Sequence, residues 1–164
     1  MPIVFIALPF ILAVACYGEI RERRIPNWLT LGAIVLGLGA ATIDNGARGL
    51  CDSALGLAVA GGAFLPFCLL GIVGGGDMKL MAAVGAVTCY PLALRVLCDT
   101  CIAGGIIAIA LMAWHGVLLT TLSNVVRVIF GMPRRRTGLA KAPTVPYALA
   151  ITAGTFAAVF IQEF

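Results

Sequence analysis

Charged residues are scarce in this sequence. Aspartate, glutamate, lysine and arginine together make up 11% of the 164 residues, while 62% are hydrophobic and the mean hydropathy is +1.09. Soluble domains usually contain about 25% charged residues and about 45 to 50% apolar ones. So little polar surface excludes an ordinary soluble domain, and the composition indicates an integral membrane protein.

Residues that bind metals are also few. The chain has one histidine, His115, and a single CxxC pair, Cys98 to Cys101, among its six cysteines. A structural zinc site needs four ligands, and the predicted topology places His115 on the opposite side of the membrane from this pair. We therefore predict neither a metal site nor a cofactor.

The basic residues are distributed as in a membrane protein and not as in a nucleic-acid-binding patch. The net charge is +4, and most of the basic residues lie in short loops beside apolar runs, where they orient the chain in the membrane. The first basic residue is Arg21, so the first apolar run is predicted to be a retained transmembrane helix and not a cleaved signal peptide. Nucleic acid is not expected as a partner.

Six apolar segments come close to the roughly 20 residues that a helix needs to cross a ~30 Å hydrocarbon layer. They are predicted at about 2–18, 28–44, 52–73, 78–92, 96–114 and 144–162. With both termini outside, nine of the eleven basic residues face the cytoplasm and only Arg48 and Arg95 lie outside, as the positive-inside rule requires. The sequence thus predicts an all-α membrane protein with about six transmembrane helices in one domain, 1–164.

A basic cytoplasmic loop, 115–143, is predicted between the fifth and sixth segments. Within it, residues 116–132 mix apolar and polar side chains. This mixture favours an amphipathic helix that lies in the membrane interface, and partial insertion into the membrane is the alternative.

Two acidic residues differ from the others because they are predicted at the same depth. Glu19 ends the first span and Asp77 begins the fourth, both on the cytoplasmic side. Two neighbouring carboxyl groups can share one proton, so that one activates water and the other donates to a carbonyl oxygen, as in aspartyl proteases. The alternatives are structural: Asp77 is the N-cap of the next helix, and Glu19 forms a surface pair with Arg23.

Three sequence elements resemble one family. The stretch GGGDMKL, 74–80, resembles the GxGD motif of intramembrane aspartyl proteases, in the version found in type IV prepilin leader peptidases. In that family an aspartate lies eight residues before the asparagine of an Ile-Pro-Asn segment. Here that asparagine is Asn27, and the matching position is Glu19. The segment KAPTVPYALAI, 141–151, is similar to the one that opens the last helix of short members.

This resemblance implies an aspartyl endopeptidase of the bacterial inner membrane that removes the leader of prepilins at the cytoplasmic face. Glu19 and Asp77 are then the catalytic pair, while Gly74 and Gly76 shape the cleft together with Lys79. The chain lacks the added cytoplasmic segment with paired CxxC motifs of long members, so it resembles the short, protease-only form associated with Flp-type tight-adherence pili. The implied partners are the prepilin, membrane lipid and pilus assembly proteins, with no cofactor.

Glutamate at position 19 departs from the family pattern. It keeps the charge but moves the carboxyl group by one methylene, about 1.5 Å, and a misplacement of ~1 Å can lower a rate about a hundredfold. Glu22 is a candidate substitute, although it does not align with the family position. Two other functions stay open: a catalytically impaired homologue that binds pilins or assembly partners without cleavage, and a small proton or cation transporter whose carboxylates carry the ions.

Overall fold

The computed structural model describes residues 2–22, 25–69, 73–114, 116 and 147–160. These residues form five α-helices and no β-strand. The helices are α1 (Pro2–Glu22), α2 (Asn27–Leu69), α3 (Gly75–Thr88), α4 (Leu92–Trp114) and α5 (Tyr147–Phe160). The all-α prediction is therefore confirmed for the described part of the chain.

The chain divides into two compact units. The larger comprises residues 1–103 and 146–164, and it contains the first part of α4 together with the other four helices. The smaller comprises residues 104–145, of which the structure describes the rest of α4 and Gly116. Within the smaller unit, Ile106, Ile109 and Trp114 are exposed apolar side chains. The single domain, 1–164, stays a prediction.

Helix α3 is the centre of the hydrophobic core of the larger unit. Nine of its 14 residues are buried, and the side chains of Leu80 and Met81 have no exposed surface. Apolar side chains from α1, α2 and α5 complete the core, among them Leu8, Phe64 and Ile151. Because α3 is surrounded on most sides, it has no wide polar face of the kind that a surface helix presents to water.

Helix α2 reverses its direction at Gly46. This glycine has a φ of 60° and a ψ of −141°, and only a residue without a Cβ atom adopts a positive φ at little cost. The arms on either side, 27–45 and 47–69, both pack against α3. The predicted segments 28–44 and 52–73 are helical as far as Leu69. The loop predicted between these two segments is wrong, because the chain turns at the single residue Gly46 and is helical on both sides of it.

Small residues allow both arms of α2 to approach α3 closely. A Cβ atom at Gly37 would lie 2.7 Å from the carbonyl carbon of Ala86, and one at Gly61 would lie 2.8 Å from the Cβ atom of Ala82. The buried hydroxyl group of Ser53 donates to the carbonyl oxygen of Ala86 at 2.6 Å. Close backbone approach and hydrogen bonds of this kind hold helices together in lipid, which supplies no hydrophobic drive for their association.

Helix α3 begins and ends earlier than the predicted segment 78–92. Gly75 and Gly76 form part of its first turn, so Asp77 lies inside the helix and not before it. The helix ends at Thr88, and Pro91 has no N–H group to extend the helical hydrogen bonds further. With 14 residues, α3 rises about 21 Å, which is less than the ~30 Å of a hydrocarbon layer.

Two described helices, α2 and α4, are long and apolar enough to cross a membrane. Only 28% and 11% of their most apolar stretches are buried within the protein, so apolar side chains such as Trp28, Val35 and Ile102 face outward. Exposed apolar surface of this extent fits lipid and not water. Six spans with both termini outside stay a prediction. The interfacial helix, 116–132, and the basic loop, 115–143, lie outside the described residues except for Gly116.

Candidate active site

A cavity of about 350 Å³ lies at the N-terminal end of α3. It is formed by the end of α1, the segment that leads into α2 and the first turn of α3. The lining residues are Glu19, Ile25, Asn27, Gly74, Gly75, Gly76, Asp77 and Lys79. All the site residues predicted from the sequence, which are Glu19, Gly74, Gly76, Asp77 and Lys79, therefore line one cavity.

Asp77 is the third residue of α3. The N-cap is Gly74, which has a φ of −68° and a ψ of 147° and no side chain to accept hydrogen bonds from the first turn. The carboxylate of Asp77 instead accepts a hydrogen bond from the backbone N–H of Gly74, as the third residue of a capping box does. The alternative in which Asp77 is itself the N-cap is therefore wrong, although its carboxylate does stabilise the start of the helix.

The environment of Asp77 favours its protonated form. The residue is only 9% exposed and precedes the predicted span 78–92. Burial raises the pKa of its carboxyl group, the negative charge of Glu19 raises it further, and the hydrogen bond from Gly74 lowers it, with a resulting pKa of about 6 instead of 3.8. The influence of Glu19 means that the two carboxyl groups are close enough to interact electrostatically.

Glu19 lies in the last turn of α1 and is half-buried beside the cavity. Its Oε2 atom accepts a 2.8 Å hydrogen bond from the backbone N–H of Ala148, in the first turn of α5. Burial raises the pKa of the Glu19 carboxyl group, and hydrogen bonds from the N–H groups of Ala148 and Tyr147 lower it by less. Because the first N–H groups of a helix have no partner within that helix, Glu19 serves as their acceptor from another helix.

The participation of α5 in the site is not evident from the sequence. The segment 141–151 does predict the start of a last helix, and α5 begins at Tyr147. Its motif, however, gives no sign that a backbone N–H group there faces Glu19. Ile25 and Asn27 also line the cavity, although their pattern indicates only the start of α2. These contributions depend on helix packing, which no local motif encodes.

The three glycines before Asp77 have different surroundings. A Cβ atom at Gly76 would lie 3.3 Å from the Cβ atom of Ile25, and one at Gly74 would lie 3.1 Å from Oδ2 of Asp77. The nearest atom to a Cβ atom at Gly75 would be 4.0 Å away. Gly74 therefore leaves room for the carboxylate and Gly76 for the packing of Ile25, whereas position 75 has space for a side chain.

Lys79 lies one helical turn after the start of α3, and its side chain reaches Asn27, the first residue of α2. Its ammonium group donates a 3.0 Å hydrogen bond to Oδ1 of Asn27. Both residues line the cavity, so this bond joins two of its walls. The predicted role of Lys79 in shaping the cleft stays a prediction.

Glu22, the candidate substitute for Glu19, is the last residue of α1. Its side chain lies outside the described part of the structure, as does Arg23, the suggested partner of Glu19. The substitution of Glu22 for Glu19 therefore stays a prediction. Glu19 lines the cavity.

Two interacting carboxyl groups at one cavity provide a general base and a general acid side by side. When they share one proton, the ionised group can take a proton from water and the protonated group can donate to an oxygen that gains negative charge. The raised pKa of Asp77 keeps the singly protonated pair accessible closer to neutral pH than ordinary aspartates would allow. The arrangement is suited to the hydrolysis of a bond that enters the cavity.

A comparison with protein families supports this chemistry. The model of the type IV leader peptidase family matches residues 6–109, a range that covers more than half of the chain and includes every described residue that lines the cavity. The match ends before α5, so the helix that donates to Glu19 lies outside it. No curated protein and no solved structure matches the chain.

We predict that Asp77→Asn stabilises the protein at neutral pH. The pKa of Asp77 is about 6 in the folded protein and 3.8 ordinarily, so its contribution to stability is fully present below about pH 4 and is lost as the pH rises through about 6. Asparagine does not ionise, and the variant should gain about 2 to 3 kcal/mol at pH 7.5. Thermal unfolding in detergent should show a higher midpoint for the variant at pH 7.5 and an equal midpoint at pH 4.

The exposed Asp44, in the first arm of α2, offers a matched control. Asp44→Asn makes the same substitution at an exposed position, so a gain in stability confined to Asp77→Asn reports on the buried carboxyl group. An Asp77→Asn variant less stable than the wild type at pH 7.5 would contradict the prediction, because the ionised carboxylate would then be stabilising the fold.

Proposed function

The chain belongs to the type IV leader peptidase family, and from this premise we propose that it is a membrane aspartyl endopeptidase that cleaves the leader from type IV prepilins of the Flp class. Cleavage takes place at the cytoplasmic face of the bacterial inner membrane. The observation that carries this proposal is that Glu19 and Asp77 line one cavity and interact electrostatically. The reaction uses this pair and a water molecule.

We assign the shared proton of the resting pair to Asp77. Burial and the charge of Glu19 raise the pKa of Asp77 to about 6. Burial also raises the pKa of Glu19, but N–H groups from two residues of α5 lower it in part and favour its ionised form. Ionised Glu19 takes a proton from water, and the oxygen of that water attacks the carbonyl carbon of the scissile peptide bond. Asp77 donates its proton to the carbonyl oxygen, which gives a neutral tetrahedral diol.

Collapse of the diol completes the reaction. The proton on Glu19 passes to the leaving nitrogen as the C–N bond breaks, and one hydroxyl group of the diol returns a proton to Asp77 as the carbonyl group forms again. The leader leaves with a new carboxyl group and the pilin with a new amino group. The pair regains its starting protonation state, and no covalent bond to the enzyme forms.

The lining of the cavity suits an extended peptide. Gly74 keeps a side chain away from the Asp77 carboxylate, and Gly76 lines the same cavity without a side chain, so a substrate backbone can come close to the carboxyl groups. The apolar segment of the prepilin would lie in the membrane alongside the enzyme, whose α2 carries outward-facing side chains such as Trp28 and Leu31. This placement brings the scissile peptide bond, at the edge of the membrane, to Glu19 and Asp77.

A homologue that binds prepilins without cleaving them is the second candidate function. Glu19 replaces the family aspartate, and its Oε2 atom is already engaged by Ala148. A carboxylate has about four acceptor sites, however, so this engagement leaves capacity for a water molecule. We therefore favour the active peptidase.

The pair is tested by Asp77→Asn and Glu19→Gln, each of which should abolish processing because an amide cannot exchange the required proton. We expect the rate to fall about 10²- to 10⁴-fold, measured by mass spectrometry of an Flp-type prepilin incubated with the purified protein in liposomes. Asp44→Asn changes a carboxylate that does not line the cavity, and it should process at the wild-type rate.

Other results of the same experiment identify the alternatives. A prepilin that binds the wild type but keeps its mass indicates a non-cleaving homologue. Ion flux across the liposome membrane without any change in prepilin mass indicates a transporter. Complete processing by Asp77→Asn would refute the catalytic pair.

The pH dependence of cleavage should follow the protonation of Asp77. Because the reaction needs the proton on this residue and its pKa is about 6, kcat/KM should fall above about pH 6 and approach a tenfold loss per pH unit. The midpoint is a property of the coupled pair and not of one residue. A kcat/KM that rises steadily from pH 6 to pH 8 would rule out Asp77 as the proton donor.

Glu19→Asp should lower activity, although it restores the family residue. The longer side chain brings Oε2 to 2.8 Å from the backbone nitrogen of Ala148, and removal of one methylene withdraws the carboxyl group by about 1.5 Å. We expect a loss of about 10- to 100-fold in kcat, measured on the same prepilin. Wild-type or higher activity of Glu19→Asp would mean that α5 adjusts to the shorter side chain.

A further inference from the structure

Helices α1 and α5 are joined by two hydrogen bonds, which we call the α1–α5 junction. Beside the cavity, the backbone N–H of Ala148 donates to Oε2 of Glu19 at 2.8 Å. About one turn away on each helix, Sγ of Cys16 and Oγ1 of Thr152 are 3.1 Å apart. The second contact lies earlier in α1 and later in α5, so the two helices are antiparallel at the junction. Two contacts fix both the sliding and the rotation of α5 against α1.

The hydroxyl group of Thr152 connects the two contacts. It donates to the carbonyl oxygen of Ala148 at 2.7 Å. A hydroxyl group has one hydrogen atom and two acceptor lone pairs, so once its hydrogen points to Ala148 it accepts the hydrogen bond from the Cys16 thiol. A continuous chain therefore leads from Cys16 through Thr152 to Ala148, whose N–H group holds Glu19.

Small side chains make up part of the apolar packing at this end of α5. Ala148 and Ala150 are buried and carry only methyl groups, while Ile151 and the partly buried Tyr147 add larger side chains. Small side chains let helices approach closely, while interhelical hydrogen bonds add direction. The polar contacts of the junction therefore set where the first turn of α5 lies relative to Glu19.

We propose that Thr152 is a positioning residue for the Glu19 carboxylate. Its hydroxyl group, held by the Cys16 thiol, places the first turn of α5 so that the Ala148 N–H group meets Oε2 of Glu19. The catalytic consequence rests on the proposed function, in which Glu19 activates water, but the positioning itself does not. Catalytic rates depend steeply on small displacements of reacting groups.

Thr152→Val tests the positioning role, because valine has nearly the shape of threonine but neither donates nor accepts a hydrogen bond. The kcat for prepilin cleavage should fall about tenfold, and KM should be unchanged because the residue does not line the cavity. Thr152→Ser keeps the hydroxyl group and should recover most of the lost activity.

Thr155 offers a matched control on the same helix. Its hydroxyl group donates to the carbonyl oxygen of Ile151 at 2.6 Å, which is the same local hydrogen bond that Thr152 makes to Ala148. Thr155 is buried and Thr152 is half-buried, but the hydrogen bond of Thr155 stays within α5 and does not lead to α1. Thr155→Val should therefore keep the wild-type kcat. A loss of kcat that occurs in Thr152→Val but not in Thr155→Val then reports on the junction.

A second measurement does not depend on catalysis. The chain has only three glutamates, Glu19, Glu22 and Glu163. Selective ¹³C labelling of glutamate therefore gives three side-chain carboxyl signals by nuclear magnetic resonance, and their number falls to two in Glu19→Gln, which assigns the signal of Glu19. This signal follows the titration of Glu19 directly in the detergent-solubilised protein.

The titration of Glu19 should respond to the loss of the Thr152 hydroxyl group. A well-placed N–H donor favours the ionised carboxylate, so Thr152→Val should move the midpoint to higher pH by roughly half a pH unit. Among the described residues, the charged groups that share the cavity with Glu19 are Asp77 and Lys79 of α3, and this variant changes neither. Thr155→Val should leave the midpoint at its wild-type value.

The outcomes distinguish the two proposals. The positioning role is overturned if Thr152→Val titrates like the wild type, or if Thr155→Val shifts the midpoint and lowers kcat equally. If the wild type cleaves no prepilin and Thr152→Val still shifts the Glu19 titration, the positioning role stands and the proposed function fails. Should Thr152→Val not fold, Cys16→Ala removes the thiol donor alone and is judged by the same criteria.

Discussion

The negative charge of Glu19 acts on Asp77, which lines the same cavity and is only 9% exposed. Two unit charges 4 Å apart interact by about 1 kcal/mol in water but by about 4 kcal/mol at an effective dielectric constant of 20. The pair therefore retains one proton under conditions in which two separate carboxylates would lose both. Backbone N–H groups at the starts of two helices, from Gly74 of α3 and Ala148 of α5, bind the carboxylates. The positive ends of these helices stabilise the single remaining charge.

The position of this pair depends on how tightly α3 is held in the core. Gly37 and Gly61 bring the two arms of α2 against α3, and the Ser53 hydroxyl group fixes the contact to the backbone of Ala86. Such packing leaves α3 little freedom to slide, so the residues of its first turn keep their place beside the end of α1. A change in the small residues of α2, far from the cavity, would move Asp77 relative to Glu19 because the connecting helix is rigid.

Sequence patterns predict the parts of the site that are local and miss those that arise from packing. The GGGD stretch and the family spacing to Asn27 point to Asp77 and Glu19, and the predicted topology places both residues at the same depth. The turn at Gly46 is missed because one residue in a left-handed conformation leaves almost no loop composition to detect. The N–H group of Ala148 is missed because every residue except proline has one, so its role depends only on where α5 docks.

Glutamate at position 19 is best understood together with α5 and not as an isolated departure from the family. The glutamate side chain spans the distance from the α1 backbone to the Ala148 N–H group, and the Cys16–Thr152 contact joins the same two helices at the neighbouring turn. The carboxyl group of an aspartate would reach the same N–H group only if α5 lay closer to α1 or slid along it. The side-chain length at position 19 and the docking of α5 therefore depend on each other. A chain with aspartate at this position needs a different junction, because replacing Glu19 alone shortens the side chain and leaves the docking of α5 unchanged.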